Sequence, residues 1–159
     1  MDSTNKKSYE ENVSIRITKA FIITLFLAAV GLCILGPTVV KVIMQTESPM
    51  LVDDARFWTM LICGYICAVI LFIFLYVIYT MVNRIQKGEV FVVENVKALS
   101  LLSNLVLGVC IVSLLVGITC TYMLLIITVA TAFVTPIIRV VKNAFGKAVE
   151  MQDELDFTV

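Results

Sequence analysis

Thiols are the side chains with the most reactive chemistry in this sequence. Five cysteines occur, all of them within apolar runs, and Cys63 and Cys67 stand one helical turn apart. That spacing is typical of the start of a soft-metal site, but the chain has no histidine, and Cys33, Cys110 and Cys120 follow no ligand spacing. We therefore expect the cysteines to act as small apolar side chains, with no metal and no cofactor bound.

Acid–base and nucleophilic chemistry have no visible basis in the sequence. Without histidine the common nucleophile–base pairs cannot form, and the carboxylates lie outside the apolar runs. The 12 basic residues balance 12 acidic ones, so no net field attracts nucleic acid. We expect neither an enzyme, with no catalytic residue, nor a protein that binds nucleic acid directly.

Hydroxyl and amide side chains inside the apolar runs are the remaining candidates for chemistry. They are Ser103, Asn104, Thr128, Thr131 and Thr135, and the three threonines share one helical face. Two interpretations stay open: hydrogen bonds between helices, worth about 1 kcal/mol each, or the lining of a small polar cavity. The runs carry no Asp, Glu, Lys or Arg deep within them, which argues against an ion-coupled transporter.

The elements that would position these residues are membrane-spanning helices. With 60% hydrophobic residues and a mean hydropathy of +1.02, the chain requires the bilayer as its solvent. Four apolar runs are long enough to cross a hydrocarbon core of about 30 Å. They predict spans at about residues 20–40, 57–82, 98–118 and 121–138. The fold class is thus an all-α membrane protein, a four-transmembrane-helix bundle.

The predicted segments around the spans follow directly. Residues 1–19 form an N-terminal segment, 20–143 the transmembrane domain with a loop at 83–97, and 144–159 an acidic, amphipathic tail. The first run begins like a signal peptide, yet it continues to Val40, so we expect it to stay attached.

Basic residues predict the orientation. Ten of the 12 Lys and Arg residues precede the first span, lie in the 83–97 loop or follow the last span, which leaves only Lys41 and Arg56 on the other side. By the positive-inside rule both termini and this loop should be cytoplasmic.

The cytoplasmic loop and tail carry the most distinctive patterns. In "VFVVENVKAL" the apolar residues recur at helical spacing, and Glu94 and Asn95 suit the first turn of the third helix. At the end of the tail, Leu155, Phe157 and Val159 alternate with polar residues, which predicts a strand.

These two segments resemble the YoaS-like family, an uncharacterised family of four-span bacterial membrane proteins. The loop motif of that family is matched by Gly88, Phe91, Glu94, Asn95 and Leu99, and its tail motif by Asp156, Phe157, Thr158 and Val159. The resemblance implies a multi-pass protein of the bacterial cell membrane, often encoded beside a small helix-turn-helix regulator.

Two functions and one structural alternative follow. In the first, the loop and tail dock a soluble partner such as that regulator, using the motif residues and Leu155. In the second, the chain is a small transport or immunity-type protein that acts through an intramembrane polar cavity or a homo-oligomer. Alternatively, the tail folds back so that Phe157 and Val159 cover Phe91, Val92 and Val96. This contact would close the inner end of the bundle.

Overall fold

The computed structural model describes the backbone of residues 3–157 and the side chains of residues 13–155. Four helices follow one another: α1 (Ser3–Ile43), α2 (Asp53–Gln86), α3 (Val93–Thr119) and α4 (Leu124–Phe157). The described backbone contains no strand. All four helices are long and apolar enough to cross a membrane, which confirms the predicted all-α fold.

Each helix is longer than the span predicted within it. The 34 residues of α2 extend over about 51 Å, against about 30 Å of hydrocarbon. Large apolar side chains cover the outside of the array, among them Ile34, Ile126 and Phe133, each more than two-thirds exposed. So much exposed apolar surface is stable in lipid and not in water.

The helices pack in chain order as antiparallel neighbours. Lys19 of α1 donates a hydrogen bond to the side-chain oxygen of Gln86 at the end of α2, and Arg139 Nε of α4 lies 3.3 Å from Ser103 Oγ of α3. Helices α3 and α4 make the most extensive contact, whereas α1 and α4 do not pack together anywhere in the described residues. The four-helix array is therefore open along the side between α1 and α4.

One end of the array is closed by apolar packing. This end, formed by loop 44–52 and turn 120–123, is called the Arg56 end below. Its buried cluster joins α1, α2 and the end of α3, and consists of Val40, Met60, Val116 and Cys120. The loop is held there because the Leu51 amide donates to the Thr119 carbonyl at 3.0 Å.

The opposite end, called the Asn95 end, contains loop 87–92 and the last turns of α4. The ring of Phe91 in the loop lies 5.5 Å from the ring of Phe145 in α4. Phe145 lies in the predicted tail, so the tail does contact the loop, but through a residue other than the predicted Phe157 and Val159. The side chains of Phe157 and Val159 lie outside the described residues.

Proline interrupts the hydrogen bonding of α1 without ending the helix. Pro37 has no N–H and leaves the carbonyl of Cys33, four residues earlier, without its helical partner. The hydroxyl of Tyr65 in α2 donates to that carbonyl at 3.2 Å. A side chain of the neighbouring helix thus replaces the missing backbone donor, as hydrocarbon requires.

At Gly117, α3 and α4 lie close together. A Cβ placed on Gly117 would lie 2.7 Å from Leu125 Cδ2 and 3.3 Å from the backbone nitrogen of Leu125. A Cβ placed on Gly64 of α2, by contrast, would have no heavy atom of a neighbouring residue within 4 Å. The turn between α3 and α4 is therefore tight at Gly117, while Gly64 faces open space.

We expect Gly117→Ala to lower the free energy of unfolding by about 1–3 kcal/mol, because the methyl group forces Leu125 away from α3. The measurement is the thermal unfolding midpoint of the purified protein in detergent. Gly64→Ala is the matched control and should leave the midpoint unchanged or raise it. Equal midpoints for the two variants would contradict the close approach.

Candidate functional site

The glycine of the loop motif ends α2. Gly88 has a φ of 87°, a left-handed conformation that glycine adopts without strain. The Gly88 amide donates to the Ile85 carbonyl at 3.0 Å and the Glu89 amide to the Arg84 carbonyl at 3.1 Å. This pair of bonds is the Schellman motif, which satisfies the last carbonyls of a helix and reverses the chain.

Asn95 holds the loop that follows. Its side chain is fully buried, and Nδ2 donates to the carbonyls of Glu89 and Val90 at 2.9 and 2.8 Å. The sequence pattern predicts an acceptor for free amides in the first turn of α3, but the amide group acts mainly as a donor to the preceding loop. Its Oδ1 is buried without a hydrogen-bond partner.

The other loop-motif residues divide between surface and core. Glu94 is exposed in the first turn of α3, where a carboxylate interacts favourably with the helix dipole. Phe91 is half exposed and packs on Phe145, whereas Leu99 is buried. In this structure, then, Asn95 and Leu99 stabilise the fold, and only Gly88, Phe91 and Glu94 are accessible to another molecule.

The tail is a helix and not the predicted strand. Helix α4 continues without interruption through Leu155 and Asp156 to Phe157, so the strand prediction is wrong for these residues. A three-residue alternation is too short to overcome a helix that already runs from Leu124, since adding a residue to an existing helix is far easier than starting a new element. Thr158 and Val159 lie outside the described residues.

The polar residues predicted inside the membrane do not share one cavity. Ser103 meets Arg139, and Ser113 meets Thr128, with 2.9 Å between their hydroxyl oxygens. Thr131 and Thr135 donate to carbonyls of their own helix, at Ile127 and Thr131. Asn104 is exposed on the outside of α3. The serine and threonine hydroxyls thus link or stabilise helices.

Arg56 is a residue whose role the sequence did not reveal. It is 4% exposed, and its Nη1 donates to the carbonyls of Met44 and Thr46 at 3.2 and 2.8 Å, just beyond the end of α1. A cation there offsets the partial negative charge at a helix C-terminus. The sequence did contain a signal for this role. Arg56 is a lone arginine in the first turn of an apolar helix, and only a short loop separates that helix from the preceding one.

The cysteines are all free in this structure. Cys33, Cys63 and Cys67 line one cavity, Cys110 is half buried and Cys120 is buried in the apolar cluster at the Arg56 end. Among the described residues, no group of three or more His, Cys, Asp or Glu side chains has the geometry to hold a metal ion.

The four apolar helices, together with a loop whose polar groups form hydrogen bonds within the chain, define an integral, multi-pass membrane protein. The comparison with protein families narrows this class: residues 42–159 match the family described as "Protein of unknown function (DUF2975)". The chain belongs to this family. No curated protein and no solved structure matches it.

We expect Asn95→Asp to destabilise the Asn95 end by about 2–4 kcal/mol, because a buried carboxylate would replace two donated hydrogen bonds and face two carbonyl oxygens. Two measurements check it: the thermal midpoint in detergent and the rate of trypsin cleavage after Lys87. Asn143→Asp, at a partly exposed position on α4, makes the same chemical change and should alter neither. If Asn95→Asp resists heat and trypsin as Asn143→Asp does, Asn95 does not hold the loop.

Proposed function

We propose that the chain is a membrane-resident regulatory protein, without catalytic activity, whose α4 extension docks a soluble cytoplasmic partner. The observation that carries the proposal is the length of α4. This helix continues for about 28 Å beyond residue 138, where the predicted span ends. It therefore carries a helical surface past the membrane domain.

The outer part of the extension has an apolar pair on an acidic background. Met151 and Leu155 are 64% and 68% exposed and lie one turn apart, so both face the same way. Around them stand the carboxylates of Glu150, Asp153 and Glu154. Two apolar anchors at this spacing, ringed by charge, are typical of a helix that lies in the groove of another protein.

The main docking surface is the extension of α4 and not the loop. Asn95 and Leu99 are buried and cannot contact a partner unless the end of the bundle opens. Phe91 and Glu94 remain accessible to a partner at the side of this end of the bundle. The accessible surface is thus a helix with a small contribution from the loop, which favours helix-in-groove docking.

The acidic ring favours a partner with a basic surface. A protein that binds DNA carries such a surface, because it must neutralise phosphates. The loop and tail motifs resemble those of the YoaS-like family, and this resemblance supplies a small helix-turn-helix regulator as the partner to test. Binding of the acidic helix to the basic face of such a regulator would compete with DNA.

A photocrosslinking amino acid at Gln152, beside the apolar pair, should link to the regulator in intact bacteria that express both. We expect Met151→Asp with Leu155→Asp to remove the crosslink, since two carboxylates cannot enter an apolar groove. Glu150→Asp is the control, because it keeps both anchors and the charge. An undiminished crosslink from the double variant, with its thermal midpoint unchanged, would refute docking through this face.

The proposed location is the bacterial cell membrane, with both termini cytoplasmic. We expect Glu89→Cys in loop 87–92 to resist a membrane-impermeant maleimide in intact cells and to react after permeabilisation. Glu47→Cys in loop 44–52 should react in intact cells, because this loop would face outward. The parent chain, whose own cysteines lie in apolar helices or at the Arg56 end, sets the background. The reverse labelling pattern would place the α4 extension outside the cell and exclude the proposed partner.

A further inference from the structure

A cavity of about 600 Å³ lies in the half of the helix array next to the Arg56 end. All four helices line it, with Leu32 and Val39 of α1 and Ile127 of α4 among the wall residues. Its volume falls within the range of about 300–1,000 Å³ that is usual for small-molecule sites. The buried cluster of the Arg56 end closes the cavity on one side, since Val40, Met60 and Val116 belong to both.

The chemistry of the lining selects an apolar occupant. The three hydroxyls in the wall are already paired within the protein. Tyr65 donates to the Cys33 carbonyl, Ser113 lies 2.9 Å from Thr128 Oγ1, and Thr131 donates to the Ile127 carbonyl. The remaining wall residues are aliphatic, aromatic, glycine, methionine or cysteine. A polar ligand would lose its hydration there without gaining hydrogen bonds, at a large cost.

The open side of the array gives this cavity access to the bilayer. Helices α1 and α4 both line it, yet in the described part of the chain they do not pack against each other. The molecules beside that gap in a membrane are lipids, and their acyl chains are the apolar groups at the right depth. A lipid can therefore enter sideways, with its headgroup left at the membrane surface.

The length of the cavity suits an acyl chain. The wall on α1 runs from Ala29 to Ile43, about 21 Å, which exceeds the roughly 15 Å of hydrocarbon in one leaflet. One acyl chain fits along this length.

We propose that this cavity is a lipid site that holds one acyl chain of a membrane phospholipid, which enters between α1 and α4. The site shares no residue with the cytoplasmic docking surface, so either proposal can fail alone. Because no wall hydroxyl is left to recognise a polar group, the site selects for chain length and shape, and the headgroup contributes little.

The test uses the full-length protein in vesicles of phosphatidylethanolamine and phosphatidylglycerol. A trace of phosphatidylglycerol with a diazirine midway along one acyl chain is photoactivated, and the labelled residues are mapped by mass spectrometry. We expect saturable labelling of the cavity residues Leu32, Val39 and Ile127, above that of the lipid-facing residues Ile34 and Ile126.

Two glycines provide a matched pair of variants. Gly64 lines the cavity and a Cβ added there would meet open space, so Gly64→Phe fills the cavity without a clash at Cβ. Gly31 has the same free space but is not part of the wall, so Gly31→Phe is the control. Labelling of the cavity residues should fall roughly tenfold in Gly64→Phe, because the ring takes the volume of several methylenes, and stay unchanged in Gly31→Phe.

The smaller variant Gly64→Leu should give an intermediate loss, and it carries the comparison if Gly64→Phe fails to fold. Equal labelling of the cavity in the Gly64 and Gly31 variants would overturn the proposal. Labelling that never saturates with probe, or that is confined to Ile34 and Ile126, would show only the surrounding bilayer and would equally overturn it. A change of oligomeric state in Gly64→Phe with undiminished lipid labelling would mean that a second copy inserts side chains there in place of a lipid.

Discussion

In hydrocarbon there is no water to pair with a backbone N–H or C=O group, and the architecture of this protein follows from that constraint. At three places where a helix fails to supply a partner, another part of the chain does. Tyr65 takes the place of the donor that Pro37 lacks, and Arg56 bonds the carbonyls just beyond the end of α1. The amide of Leu51 does the same for Thr119 at the end of α3. These contacts join α1 to α2 and the 44–52 loop to α3, so satisfying the backbone also determines which elements meet.

The same constraint explains what could be predicted from the sequence. A span must be apolar for about 20 residues, and this signal is strong enough to place four helices and the turn between α3 and α4. The sequence does not show in the same way which neighbour a side chain faces once the helices have packed. Asn95 is a polar residue in a charged segment, and the pattern is the same whether its amide faces a partner protein or the carbonyls of Glu89 and Val90. Only the turn at Gly88, which brings those carbonyls back over the start of α3, decides between them.

The wrong strand prediction in the tail has a related cause. Alternation over Leu155, Phe157 and Val159 predicts a strand only for an isolated segment, but Leu155 and Phe157 belong to a helix that starts in the membrane. An isolated peptide of this length would lack a helix nucleus, but the transmembrane helix supplies one. The helix therefore continues into a segment whose own preference for helix is weak. The three threonines of α4 show the opposite case. Helical spacing does place them on a common face, but hydroxyls that bond to their own helix need no polar cavity, and the cavity that is present is apolar.

Helix α4 occupies a special place in this arrangement. Its first turns form one wall of the cavity, its middle packs along α3, and its end carries Met151 and Leu155 past residue 143, where the predicted membrane domain ends. The side of α4 that faces α1 has no packed neighbour among the described residues, whereas its contact with α3 is extensive and includes the close approach at Gly117. A molecule in the cavity would contact α4 on the side that faces α1, where no helix packs against it. The same helix, with Pro136 inside it, runs for 34 residues to the Asn95 end, where Phe145 meets Phe91. Coupling between two sites requires an element that belongs to both, and α4 both lines the cavity and carries the exposed pair Met151 and Leu155.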